Sequence, residues 1–400
     1  MEHYDALVIG AGPAGSRAAH QLALQGYRTA VFEKSGTIGN KPCCTGIIGR
    51  ECVDLFDIGS DCILQEANSA KLFAPSGEFI RIGKEEPQAY IVDRAAFDQS
   101  LAKKAKNAGA AYLLSSNVRS ISISPSGVEL SVNQQGDTNT FHGKAVIIAN
   151  GFGSKLPSKL GMGQIKNLIT GAQVEVETNG IEEVEVYFSH QIAPGFFAWL
   201  APISKHQARI GLFAKENPGK YLKQLLTKLA SEGKISSTEA TIFYGGIPLK
   251  PLPRTCSERA LVIGDAAGQV KPTTGGGIYY GLLCADFAAE TLHRAFQSDD
   301  FSKKNLSQYE KLWKAKLGSE LRIDYFARRL YNRLSDKRIN TMFNIVRDNN
   351  IHEKILESSY KSFDWHGELV LDGLKQMGPW RHLFGTHLPN YILRSLRGKS

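Results

Sequence analysis

Six residues near the start of the chain, Gly10-Ala11-Gly12-Pro13-Ala14-Gly15, restrict its fold more than any other stretch. They follow a short apolar run, DALVIG, and lead into a segment of helical composition from Pro13 to Gly26. A second strand, YRTAVFE, then ends on Glu33. Strand, glycine turn, helix, strand and acid, in that order, make up a dinucleotide-binding unit. Gly10 allows the tight turn, Gly12 lets the backbone approach a pyrophosphate, and Gly15 lets helix and strand pack closely. Pro13 and Ala14 belong to the same turn. The free N–H groups and partial positive charge of the helix N-terminus face the phosphates. Glu33, with Lys34 beside it, can accept hydrogen bonds from a ribose diol. The plain alternative is a glycine-rich turn that binds nothing.

The strand-to-glycine pattern recurs in KAVIIANG at 144–151 and in ALVIGDAAG at 260–268. In the second case the strand runs into Gly264-Asp265, where a carboxylate can bond a ribitol hydroxyl. Gly275-Gly276-Gly277 then opens a helix at Ile278, GIYYGLLCADFAAETLHRAF. Its N-terminal amides would face the negative charge that develops on a reduced flavin. Asp93-Arg94 precedes another helix, closed by Gly109, and Asp93 also reads as its N-cap. Together these elements resemble the FAD-binding fold of the para-hydroxybenzoate hydroxylase type. The resemblance implies FAD as cofactor and a flavin or pyrophosphate contact for Arg94.

Between the nucleotide-fold pieces lie alternating stretches, KLFAPSGEFIRI and GAQVEVETNGIEEVEVYFS, that read as strands. The fold class expected is α/β: a Rossmann-like FAD-binding domain interrupted by a β-rich substrate domain, with a helical C-terminal region. The discontinuous FAD domain takes 1–58, 90–160 and 245–295. The substrate domain takes 59–89 and 161–244, and the helical region 296–400. The net charge of +9 is confined to the last part. Residues 301–400 hold 19 Lys and Arg against 10 Asp and Glu, interspersed with Trp313, Tyr325, Phe326, Tyr331, Trp365 and Trp380. That asymmetry suggests a face for an anionic partner, whereas the plain reading is a solvated helical surface. No apolar run is long enough to span a bilayer, and MEHYDALVIG has no basic leader. Six cysteines in 400 residues do not make a disulfide scaffold. A reduced, cytoplasmic protein is expected.

Two further stretches carry a narrower likeness. Lys41-Pro42-Cys43-Cys44-Thr45-Gly46 resembles the cysteine–glycine motif of the geranylgeranyl reductase family. Gly195-Phe196-Phe197-Ala198-Trp199-Leu200-Ala201-Pro202, followed by Gly211, resembles that family's aromatic–Trp–Pro motif with its trailing glycines. Phe197 replaces the usual tyrosine, Ala201 the usual phenylalanine, and Phe213 the second glycine. Membership would imply that FADH2 reduces isolated C=C bonds in a polyprenyl chain. Phe196, Phe197, Trp199, Leu200, Pro202 and Gly211 would then line the substrate channel, and Cys44, Gly46 and Ile278 would join the cofactor contacts. FFAWL read simply as a core strand remains compatible with this.

Adjacent cysteines have poor spacing for a metal, and no CxxC or histidine cluster accompanies them. Packing as small apolar residues is the bland account of the pair. The functional account sets a thiol at the reactive side of the flavin, Cys44 first and Cys43 second, as proton donor or as half of a redox pair with Cys284. No second dinucleotide fingerprint is present, so electrons would come from transiently docked NAD(P)H or from a small ferredoxin-like carrier. The lipid substrate and the basic C-terminal region together suggest peripheral membrane contact; no nucleic acid is assigned. A flavin monooxygenase or halogenase of the same fold is the second reading, and a non-catalytic prenyl-binding protein the third.

Overall fold

In the computed structural model, which describes residues 3–40, 43–358 and 362–376, strand His3–Ile9 pairs in parallel with Thr29–Phe32 on one side and Asp137–Ile148 on the other. Both faces of this parallel sheet are covered, one by helices and the other by strands Ser116–Ser124 and Gly127–Gln134, so its strands are apolar runs instead of alternating ones. Ala6, Leu7, Val8 and residues 145–148 are accordingly fully buried. Ala260–Val262 extends the parallel sheet beyond Asp137–Ile148, and Ala111–Leu113 extends it beyond Thr29–Phe32. The strands next in sequence thus leave His3–Ile9 in opposite directions. Such a reversal opens a crevice at the carboxyl end of that strand, where Gly10 to Gly15 lie. Helices Pro13–Leu24, Arg94–Asn107 and Ile278–Ser298 share one core beneath it, through Ala18, Leu22, Leu101, Ala105, Ala285 and Ala288.

A second sheet has the order Phe243–Pro248, Leu168–Glu177, Gln207–Ala214, Ala198–Ser204, Val184–Tyr187, Ser69–Phe73, Phe79–Gly83. It draws on the two stretches that interrupt the nucleotide fold, and its edge strand runs past residue 245. Side chains alternate between faces along a strand. Ala198, Leu200, Ile210, Leu212 and Val174 therefore face helix Pro218–Ser231, closing a core on Leu222, Leu225 and Leu229. The opposite face carries Trp199, Ala201 and Phe213. A three-stranded sheet of Ile47–Gly49, Ala89–Val92 and Ile63–Ala67 lies beside that face, with Ile91 packed among Trp199 and Ala201.

Helices Lys303–Tyr331, Asp336–Asp348, Ile351–Ser358 and Gly367–Gln376 make up the described C-terminal part. Here the aromatic residues correct the sequence reading. Trp313 is buried and donates its indole N–H to Thr255 Oγ1 at 2.9 Å, and Trp365 donates to Glu51 Oε2 at 2.8 Å. Tyr325 and Phe326 join apolar clusters, and Tyr331 packs on Phe188. An amphipathic helix turns its aromatic stripe to the core and its charges to solvent, so interspersion in sequence does not make a mixed surface. Trp380 and the basic residues after 376 lie outside the described residues. Among those described, no helix is long and apolar enough to cross a membrane.

Candidate active site

The glycines of the first turn have three different reasons to be glycine. Gly10 has φ of +105°, and a Cβ there would meet the Ala149 carbonyl oxygen at 2.5 Å. A Cβ on Gly15 would meet the Gly10 oxygen at 2.0 Å. Around Gly12 nothing lies within 4 Å, which leaves the backbone open to a ligand. Glu33 has a second task that the sequence reading did not assign. Its Oε2 accepts from the Ala11 N–H and its Oε1 from the Ser35 N–H, both at 2.9 Å, so it braces the turn. Lys34 is exposed beside it.

The second motif closes on the first. A Cβ on Gly264 would meet Ala14 Cβ at 3.3 Å, and one on Gly277 would meet Asp265 Oδ1 at 2.8 Å. Burial pushes the Asp265 carboxyl above its ordinary pKa, and the Arg94 guanidinium partly offsets this. Among the described residues the Asp265 side chain accepts no hydrogen bond. Arg94 forks onto Asp98 with two 3.1 Å bonds, and Cys44 lies near enough to interact with its charge. Gly277 caps Ile278–Ser298, so the positive end of a 21-residue helix points at Asp265. Gly275, at φ +79°, and Gly276 form the turn before it, closed by the Gly275 N–H on the Lys271 carbonyl at 2.9 Å. The open Gly12 backbone, an unpartnered carboxylate and a helix N-terminus are the parts that an FAD pyrophosphate, ribitol and isoalloxazine require, so the residues fit the cofactor.

Lys41 and Pro42 lie outside the described residues, but the rest of the thiol loop is held on both sides. Gly46 has φ of +79° and leaves no room for a side chain, since a Cβ would meet the Val92 oxygen at 2.6 Å. Gln173 donates to the Cys44 carbonyl at 3.3 Å and accepts from Thr45 Oγ1 at 3.0 Å. Cys43 is half-buried with its sulfur 3.5 Å from the Phe243 carbonyl oxygen. Burial, with Cys44 adding to it, pushes the Cys43 thiol up to about 11, so it stays protonated. The proposed pairing with Cys284 is not formed. All six cysteines are free, and Cys284 is fully buried in the helical core against Tyr309.

The aromatic motif forms one continuous wall. Phe196 stacks on Phe197 at 4.8 Å and meets Phe213 edge-on at 4.9 Å, and Trp199 lies 5.1 Å from Phe213. Phe213 reaches the Gly275–Gly277 turn, where a Cβ on Gly275 would strike its ring at 2.9 Å. Three expected contacts are corrected. Leu200 and Pro202 alternate to the other face of the sheet from Trp199, away from the wall, because strand side chains have a period of two. Gly211 acts through its neighbour: it pairs with Trp199 across the strands, and a Cβ there would meet the indole at 2.5 Å.

The family described as lycopene cyclase protein matches residues 5–348. Digeranylgeranylglycerophospholipid reductase of Methanocaldococcus jannaschii is 30% identical over 352 residues, spanning 85% of this chain and 89% of that protein. The chain belongs to the geranylgeranyl reductase family. Digeranylgeranylglycerophospholipid reductase 1 of Methanosphaera stadtmanae is 31% identical over 76% of this chain and 79% of its own. The geranylgeranyl bacteriochlorophyll reductase-like protein of Thermoplasma acidophilum superposes with a TM-score of 0.84 at 23% identity, covering 99% of both chains. A flavin-dependent brominase shares the fold at a TM-score of 0.68 and 15% identity, also over 99% of both. As a geranylgeranyl reductase family member the chain is an FAD-dependent oxidoreductase.

Sequence reasoning missed the residues that join this reductase's two sheets to its thiol loop. Arg209 is nearly buried and donates to the Thr45 and Val92 carbonyls at 2.8 and 3.0 Å and to Glu175 Oε1 at 2.8 Å. A charge within the apolar strand QARIGLFA was the available signal. Phe213 was noted only as a departure from the family pattern.

Proposed function

We propose that the chain saturates isolated C=C bonds of a geranylgeranyl or longer prenyl chain carried by a lipid or lipid precursor. The supporting observation is the wall of Phe196, Phe197, Trp199 and Phe213, which meets the Gly275 turn beside the thiol loop. A trisubstituted alkene has no carbonyl to polarise, so the protein must align it closely and supply a proton. FADH2, when bound, supplies the hydride. The aromatic wall holds the chain and excludes water. Cys43, kept neutral by burial, carries the proton for the second alkene carbon, while Cys44 sits against Arg94 on the cofactor side. The relatives' name, digeranylgeranylglycerophospholipid reductase, supports a phospholipid-borne chain. The electrons come from NAD(P)H or from a small acidic carrier, and the enzyme works at a membrane surface.

Anaerobic incubation of the reduced holoenzyme with a geranylgeranyl lipid, followed by mass spectrometry, tests this. Each saturated bond adds the mass of two hydrogens. An unchanged mass with a new ring, the outcome the lycopene cyclase description would suggest, would replace the reductase reading. A product formed only with oxygen would point to a monooxygenase or halogenase instead.

A further inference from the structure

The long helix Lys303–Tyr331 carries a cation that the reaction outlined above does not use. The guanidinium of Arg328 lies over the Phe196 ring, with Cζ 4.4 Å from the centroid. Stacking satisfies the face of the guanidinium plane but none of its in-plane donors. Its Nη1 is buried without a hydrogen-bond partner, and among the described residues no carboxylate lies within ion-pair distance. Asp324, one turn earlier on the same helix, turns instead to Thr273 Oγ1 at 3.1 Å. One turn later the Tyr331 hydroxyl is also buried and unpartnered. A second cation meets the same helix: Lys250, exposed and without a carboxylate partner among the described residues, lies 4.3 Å above the ring of Tyr325, three residues before Arg328. Removing an arginine from water without an anion is strongly unfavourable, and a planar fork of donors matches phosphate oxygens.

The position of this group relative to the Gly275–Gly277 turn gives it meaning. From Arg328 the contacts run through Phe196 to Phe213, and Phe213 touches Gly275. Two aromatic rings thus separate the cation from that turn. His190 holds the loop that presents Phe196: its Nδ1 accepts from the Gly195 N–H at 3.1 Å, its Nε2 contacts the Leu334 carbonyl at 2.8 Å, and its ring packs on Tyr331.

We propose that Arg328, with the Tyr331 hydroxyl and with Lys250, binds the phosphate of the lipid head group and so sets which double bonds reach the flavin. This rests on the prenyl-reductase reading and adds a head-group site to it. The test measures binding to the oxidised FAD holoenzyme, through perturbation of flavin absorbance, for geranylgeranyl phosphate and for geranylgeraniol, which lacks the phosphate. The ratio of the two affinities is expected to fall roughly tenfold or more in Arg328→Gln, as loss of a charge-assisted contact implies. Arg328→Lys is expected to retain part of the ratio. An equal loss for both ligands in Arg328→Gln would overturn the proposal by making the residue merely structural, and so would an unchanged ratio or a wild type that binds neither ligand. Inorganic phosphate is expected to compete weakly with geranylgeranyl phosphate and not with geranylgeraniol. If it binds without weakening geranylgeranyl phosphate, the site belongs to free phosphate and the proposal fails. Because binding is read without turnover, a protein that binds both ligands but reduces neither would sink the reductase reading alone.

Discussion

At the scale of single residues, the three glycines of the first turn separate folding from cofactor binding. Gly10 and Gly15 abut backbone, so a side chain at either must distort the turn. Gly12 faces open space, so Gly12→Val leaves the protein's own packing undisturbed while filling the approach to the pyrophosphate. The expected variant is folded, with the circular dichroism of the apoprotein, but colourless after FAD addition. Cys43 makes a second residue-scale prediction. Its folded pKa of about 11 lies above the ordinary 9.0, so the neutral thiol persists through neutral pH and is lost only as pH rises through that upper value. Iodoacetamide should therefore label Cys43 slowly at pH 8 and quickly only near pH 11. Cys43→Ser should lower turnover by about a hundredfold or more, the usual contribution of a positioned proton donor. A turnover matching wild type would leave the thiol a packing role.

At the scale of elements, the face of the second sheet that meets the nucleotide fold is polar where it grips the thiol loop and aromatic along the wall of Trp199 and Phe213. Gln173, Gly211 and Trp199 lie in one cross-strand row, and Arg209 and Phe213 flank Gly211 on its own strand. Arg209 ties three segments together, including two carbonyls with no other side-chain donor in this contact. Arg209→Gln should lower stability by about 2 to 3 kcal/mol, because two buried carbonyls lose a charged donor. It should also lower kcat more than it raises KM, since the loop it holds carries the thiol. Urea unfolding together with steady-state kinetics checks both parts. Arg209 announced itself in the sequence only as a charge in an apolar strand. Its partners Thr45 and Val92 lie more than a hundred residues away, and only the strand register brings them under the guanidinium.

At the scale of the whole molecule, a buried polar cluster seals the C-terminal part onto the segment before the Gly275–Gly277 turn. Asp364 accepts from the Gly49 and Cys52 N–H groups, both at 3.3 Å, and faces Lys271 at 3.7 Å. Glu320 Oε1 accepts from the His366 and Gly367 N–H groups, both at 2.5 Å. Residues 364–367 are thereby fastened from two sides over the segment that leads to Gly275. Burial, with Glu320 nearby adding to it, raises the Asp324 carboxyl in this cluster to about 8. A folded value above the ordinary 3.8 means that the fold favours the protonated form. That contribution to stability is complete below about pH 4 and is lost as pH rises through 8. Asp324→Asn, which mimics the protonated form, should therefore gain on wild type in Tm as pH goes from 5 to 8. A Tm difference that does not vary with pH would show that Asp324 is not the titrating group.

The backbone geometry of the two glycine turns was legible in the amino-acid sequence alone. A positive φ, a missing Cβ and a strand-ending acid are local requirements, satisfied by residues close together in the chain, as Gly10 to Gly15 with Glu33 and Gly264 to Gly277 show. The likeness to one reductase family was legible for the same reason, because its motifs are short and contiguous. Tertiary structure alone decided which residues meet across distance. It set Cys284 in the helical core, turned Pro202 away from Trp199, drew the C-terminal aromatics inward, and brought Arg328 onto Phe196. Each of these depends on strand register or on which helix face is buried. Such properties follow from the packing of the whole chain and are not carried by any single segment.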